Sequence, residues 1–291
     1  MSNRGIIITE RSRDIGDFLV GRLLPFRKKR MVGPFVFIDH MGPTVITENN
    51  YLEIGQHPHI GLSTLTYLFE GEILHNDSIG TVQKITPGAV NFMTAGSGVV
   101  HTERTPEELR NGVPHTVHGF QIWVALPKDL EDMAPAFQHV TADSLPSWNL
   151  KGTSFKLIAG KMHSYESPLK VYSDLFLLEI KSVERDSLSL HEHLKGEIGI
   201  CVVKGAIEAC DEIIEAGNLL VTKDNDYCNI TVQTNTHLLV FGGQPFEEER
   251  HIYWNFVSTD IDKITKAKED WVAKNFDMIP GDKSYIPLPG K

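Results

Sequence analysis

Two His-x-His triplets set 134 residues apart constrain this chain more than any other feature. His57-Pro58-His59 ends twelve residues before Gly71, in the turn context Leu68-Phe69-Glu70-Gly71. His191-Glu192-His193 ends twelve residues before Gly205, in Val202-Val203-Lys204-Gly205. Pro87-Gly88 follows the first glycine by sixteen and seventeen residues, and Gly217 of Ala216-Gly217 follows the second by twelve. A repeat of strand, glycine turn, strand, glycine turn and strand at so long a period marks a duplicated unit. Short apolar or alternating segments at 35–38, 63–69, 119–126, 175–180, 198–203 and 237–241 fill the spaces between turn residues. Their lengths suit strands of a sandwich or barrel better than alternating strands and helices.

A length of 291 residues allows two such domains. The stretch 138–148, with Ala, Asp, Ser and Pro, is the natural divide, which gives a first domain at 1–139 and a second at 140–291. Helical signal is sparse. Thr105-Pro106-Glu107-Glu108 predicts one short helical turn with Thr105 as cap. The segment 259–276 predicts the one long helix, with Ile261, Ile264, Ala267, Trp271 and Val272 on its apolar stripe and Thr259 near its cap.

Composition narrows the function classes. Hydrophobic residues make up 41% and charged residues 23%, so packed cores are expected rather than disorder. A net charge of −10 argues against direct nucleic-acid binding, which draws on Lys and Arg. The basic run Arg27-Lys28-Lys29-Arg30 reads as a solvated turn. No apolar run is long enough to span a membrane, and the start does not read as a signal peptide, so a cytoplasmic protein is expected. Cys201, Cys210 and Cys228 show no metal-ribbon or redox-pair spacing and read as ordinary small residues.

The chemistry concentrates in the first half. In a strand, residues i and i+2 share a face, so His57 points with His59, and His101 with Glu103. If both faces line one barrel interior, three imidazoles and one carboxylate converge. That donor set suits a divalent first-row metal such as Fe, Mn, Co, Ni, Cu or Zn. The absence of sulfur argues against a structural zinc site.

Gly33-Pro34-Phe35-Val36-Phe37-Ile38-Asp39-His40, His57-Pro58-His59-Ile60-Gly61 and Tyr67-Leu68-Phe69-Glu70-Gly71 resemble the pirin family. So do Met93-Thr94-Ala95-Gly96, His101-Thr102-Glu103 and His118-Gly119-Phe120-Gln121-Ile122-Trp123-Val124. The resemblance runs on through Ile158-Ala159-Gly160, Gly242-Gly243-Gln244-Pro245 and Ile286-Pro287-Leu288-Pro289, and so covers nearly the whole chain. It implies an all-β bicupin, two antiparallel jelly-roll cupin barrels, here with a C-terminal helix. It also implies Fe(II) in the N-terminal barrel on His57, His59, His101 and Glu103. Gly98, three residues before His101, has the spacing of the second cupin motif. The carboxylate usual in the first motif would fall near Thr64, and Glu103 takes its place.

The activity implied is that of a quercetin 2,3-dioxygenase, with a small aromatic substrate and O2, and with Glu103 as both ligand and catalytic base. The alternative implied is a metal- or redox-dependent interaction module that binds a partner protein without turnover. Phe92, Met93, Phe120 and Trp123 are candidate pocket residues, although barrel core explains each as well. Asp39, His40 and His118 are candidates for orienting the ligand imidazoles. His191, His193 and Glu197 look like a first cupin motif in the second barrel, but 224–229 supplies no histidine for the second, so one metal site is expected. His75, His115, His139, His163, His237 and His251 have no evident partner in sequence and read as structural or exposed.

Overall fold

The computed structural model describes residues 5–15, 18–190, 193–209, 211–222 and 229–290. Strands dominate, and Ile261–Ala273 is the single α-helix among the described residues. The chain folds into two compact units that interleave along the sequence. One takes residues 1–11, 21–38 and 143–246, and the other takes 12–20, 39–142 and 247–291.

In the first unit a large antiparallel sheet begins Ile6–Thr9, Asn218–Thr222, Glu197–Lys204, Thr236–Gly243, Leu175–Ser182. It continues through Thr153–Met162 to Ser147–Leu150. A smaller sheet runs Asp186–Leu188, Ile230–Val232, Ala206–Ala209, Glu212–Glu215. Leu157, Leu178, Ile200 and Val240 of the large sheet share one core with Leu188, Ile207, Ile214 and Val232 of the small one. Alternation along each strand places these residues on the inner faces. Ile6–Thr9 pairs with Asn218–Thr222, so a cut at 139/140 would separate strands that are hydrogen-bonded to each other.

The second unit repeats the plan. Its small sheet orders Glu53–His59, Val99–Arg104, Ile73–Asp77, Val82–Ile85. Its large sheet includes Ala136–Val140, Val90–Thr94, Leu62–Glu70 and His115–Ala125, followed by Phe35–Ile46, whose residues from Asp39 onward belong to this unit. Leu68 and Val117 pack with Ile54, Ile73 and Ile85 in the core between the sheets. The turn glycines of the repeat are equivalent in conformation as well as in sequence. Gly71 and Gly205 have φ of 83° and 77°, in the left-handed region that a side chain disfavours.

The helix starts two residues later than Thr259. Asp260 is its cap, accepting from the Asp262 N–H at 2.9 Å, and Lys274 ends it in the left-handed conformation. Thr259 instead donates its N–H to Glu131 at 2.8 Å. Ile264, Ala267 and Trp271 pack with Ile60, Val100 and Phe256, so the helix belongs with the first His-x-His strand and not with residues 143–246. Ile261 and Val272, expected on the buried stripe, are exposed. The turn predicted at Thr105 is a 3₁₀ turn over Glu107–Leu109 without a side-chain cap. Thr105 stands one residue before the cap position, Pro106, and its hydroxyl accepts the Leu52 N–H at 3.0 Å.

Arg27 and Lys28 are exposed in a turn flanked by the Phe26–Lys29 bridge, as the run of charge predicts. Cys201 is buried and free, while Cys210 and Cys228 lie outside the described residues. No described helix is long and apolar enough to cross a membrane.

Candidate metal centre

Three neighbouring strands of the small sheet each carry an i, i+2 pair of polar side chains. In register, His57 lies opposite His101 and His59 opposite Val99, with a bulge between His101 and Glu103. On the other side of the central strand, His101 lies opposite Asp77 and Glu103 opposite His75. Pairing across one antiparallel sheet sets these three pairs, distant in sequence, on adjacent strands.

His57, His59 and His101 converge, each offering a nitrogen within 4.8 Å of the other two. His59 Nε2 and His101 Nε2 are 3.0 Å apart. That is the separation of two donors meeting one ion at right angles through bonds of about 2.1 Å. His57 Nδ1 donates to the Gly55 carbonyl at 2.8 Å, which leaves Nε2 with its lone pair. His59 Nδ1 is buried without a hydrogen bond of normal geometry.

All three rings are buried, and burial is the chief reason that their charged forms are disfavoured. His57 falls to about 4, the Gly55 hydrogen bond only partly opposing burial. His59 and His101 fall well below the ordinary histidine value, through burial and then through the charge of their neighbours, beginning with His57. Neutral imidazoles whose ring nitrogens converge form a donor set suited to a divalent metal.

Glu103 is buried, and its carboxyl is raised above the ordinary range by burial, which outweighs His75 and the Thr66 hydrogen bond. Thr66 Oγ1 lies 3.4 Å from Glu103 Oε1. Glu103 is not part of the three-histidine group. Thr64 is buried and offers no carboxylate.

The expectation that His75 has no partner is overturned. His75 Nδ1 is 3.3 Å from His101 Nδ1, and His75 Nε2 is 3.0 Å from Asp77 Oδ2. Phe137 covers the His75 ring at 4.7 Å between centroids. His139 and His237 also have partners, Asn91 at 2.7 Å and Glu179 at 2.9 Å. His40 and His118, candidates for orienting the ligands, are bonded to each other through Nε2 at 2.9 Å, and His40 stacks on Phe120. Asp39 is buried on the same strand as His40. Trp123 sets its ring edge-on to His59 at 5.1 Å, which places it beside the centre. Phe92 is buried, and Met93 packs with Ala95, Val99 and Phe137.

The opposite faces of the ligand strands are held by the end of the chain, which sequence reading did not reveal. Gln56 Nε2 donates to the carbonyls of Asp282 and Ser284, both at 3.1 Å, and Gln56 Oε1 accepts the Ile279 N–H at 2.7 Å. Its backbone adds a bond to Ser284 Oγ and another from the Ile286 N–H, each 3.0 Å. Arg104, next to Glu103, donates to Asp282 at 2.6 Å and to Ser284 Oγ at 3.0 Å. Residues 279–286 thus grip Gln56 and Arg104, the neighbours of His57 and Glu103.

The described residues of the second barrel hold no equivalent group. Among the described residues, only the His57, His59 and His101 group can hold a metal. Glu197 is engaged by Lys29 and accepts the Gly33 N–H at 3.0 Å. His193 is exposed, its ring 3.7 Å from that of His163, and His191 lies outside the described residues.

Comparison with known proteins identifies the family and the fold. The pirin family profile matches residues 17–124, and the profile of the pirin C-terminal cupin domain matches 177–277. A pirin-like protein of Caulobacter vibrioides is 38% identical over 288 residues, covering 98% of this chain and 99% of its own. The crystal structure of quercetin 2,3-dioxygenase from Acinetobacter baumannii superimposes with a TM-score of 0.89 at 33% identity. That match covers 98% of this chain and 95% of the dioxygenase. The nickel(II) complex of the bacterial pirin YhhW from Escherichia coli shares the fold, with a TM-score of 0.64 at 19% identity over 83% of this chain and 99% of its own. The chain therefore belongs to the pirin family and is a bicupin of two cupin domains.

Proposed function

We propose that this pirin is a non-haem metal-dependent dioxygenase of the quercetin 2,3-dioxygenase type, acting on a flavonol-like aromatic substrate with O2. The convergence of three buried, neutral imidazoles, one of them two residues from the buried carboxyl of Glu103, carries the proposal. The similarity in sequence and structure to the Acinetobacter baumannii enzyme supports it. His57, His59, His101 and Glu103 are the proposed ligands. Fe(II) is the first choice, and Mn, Co, Ni, Cu or Zn suit the same donors. A metal held there would supply a Lewis acid for the substrate oxygen.

The chain's own residues supply the rest. His57 keeps its proton on Nδ1 through the Gly55 carbonyl and presents Nε2 to the centre. Glu103 would serve as ligand and as base, its carboxylate taking the proton of the substrate hydroxyl once it is released from the metal. Trp123, edge-on to His59, gives the site an aromatic wall beside the ligands.

The test is a Glu103→Gln variant loaded with iron and mixed with quercetin, with loss of flavonol absorbance followed in time. Turnover should fall by at least ~100-fold, the usual contribution of a positioned base. Full turnover by a metal-loaded Glu103→Gln protein would remove Glu103 from the chemistry.

A further inference from the structure

We infer that Asp77 and His75 form a positioning relay that holds His101 as a metal ligand. The inference rests on the metal-site reading above and extends it to two residues outside the ligand set.

The order of protons follows from the acceptors. The first oxygen of Asp77 accepts the N–H groups of Ile79 and Thr81, at 3.1 and 2.8 Å, which fixes the carboxylate in the turn after its own strand. An ionised carboxylate only accepts, so the proton on the 3.0 Å contact belongs to His75 Nε2. With that N–H spent on Asp77, the single-proton form of His75 offers Nδ1 as an acceptor. The 3.3 Å contact then takes its proton from His101 Nδ1. His101 is left with the Nε2 lone pair, and that is the nitrogen 3.0 Å from His59 Nε2.

Placement supports the same reading. His75 and Asp77 sit at i and i+2 on the strand next to His101 and directly opposite Glu103 and His101 in register. Both are almost wholly buried, and Phe137 lies against the His75 ring. A buried His–Asp pair that merely filled core would have no reason to end on a ligand nitrogen. Partners of this kind fix the tautomer and ring orientation of a metal-bound histidine, and losing one commonly costs ten- to hundredfold in metal affinity.

The experiment titrates Co(II) into chelator-stripped, full-length protein and reads affinity and the visible d–d absorption band. Wild type is compared with His57→Ala, His75→Ala, His75→Gln and Asp77→Asn, with apo-protein Tm measured for each. Asp77→Asn keeps an oxygen for the turn amides but offers an N–H to His75 Nε2. That reverses the relay and drives the His101 proton onto Nε2. His75→Gln can accept from His101 Nδ1 through its carbonyl and donate to Asp77 through its amide.

Affinity should fall about 10- to 100-fold in His75→Ala and Asp77→Asn, with an altered band, and recover in large part in His75→Gln. Wild-type affinity and an unchanged band in His75→Ala or Asp77→Asn would overturn the relay, even if Tm fell. If His75→Ala fails to fold, Asp77→Asn and His75→Gln decide the matter. A wild type that binds no Co(II) would overturn the metal site and the relay together. Binding that depends on His57 but not on His75 or Asp77 would overturn the relay alone.

Discussion

Acid should destabilise the metal-free protein through His57. The ring is buried and titrates near 4 in the folded chain, because burial penalises the imidazolium. In the unfolded chain it titrates near its ordinary value of about 6.5. Between those values the unfolded chain binds a proton that the folded chain does not. Stability is therefore full above pH 6.5, falls as pH drops through the window, and levels off below about 4. At roughly 1.4 kcal/mol per pH unit the whole window is worth about 3 kcal/mol, and about 2 kcal/mol has gone by pH 5. His59 and His101 are lowered as well, partly by the charge of His57, so removing His57 relieves them in the same direction. The assay is urea unfolding of chelator-stripped wild type and His57→Gln at pH 7 and pH 5. The loss of stability between the two pH values should be smaller in the variant by about 2 kcal/mol. Equal losses would refute burial of the His57 imidazole as the source of the acid sensitivity.

Glu103 has the opposite sign. Its raised carboxyl contributes stability below the ordinary glutamate range, and that contribution is lost as pH rises through the folded value. Apo Glu103→Gln should thus be more stable than apo wild type at pH 8, by about 1 kcal/mol or more in urea; a less stable variant would contradict the desolvation argument. Gln56→Ala strips three side-chain hydrogen bonds from the chain end and leaves half-buried backbone groups unpaired. It should cost about 2–4 kcal/mol, read as a lower thermal midpoint; a loss below about 0.5 kcal/mol would mean that the C-terminal segment does not brace the ligand strand. His193→Ala should leave the metal content at one equivalent per chain by elemental analysis, whereas a fall would reveal a second site.

The three-histidine cluster was legible because period-two spacing is local. His57-x-His59 and His101-x-Glu103 announce shared faces without knowledge of which strands pair. His75-x-Asp77 carries the same local signal, but its meaning depends on the register that sets Asp77 opposite His101, a pairing between strands 24 residues apart. The repeat was legible for a similar reason, since Gly71 and Gly205 each satisfy a turn by themselves. The exchange of chain ends was not. Nothing near Ile6–Thr9 names Asn218–Thr222 as its partner, and nothing near Gln56 names Asp282 and Ser284. The helix face was misread at its edges for want of a packing partner. Ile264, Ala267 and Trp271 meet Ile60, Val100 and Phe256, which leaves Ile261 and Val272 outside the contact.

The dioxygenase assignment stands or falls on oxygen uptake by the iron-loaded protein with quercetin, measured beside the chelator-stripped protein and an iron-treated His57→Ala variant. Uptake that requires both iron and an intact His57 is the expected result. One equivalent of iron bound through His57, with no quercetin-dependent oxygen consumption, would contradict it.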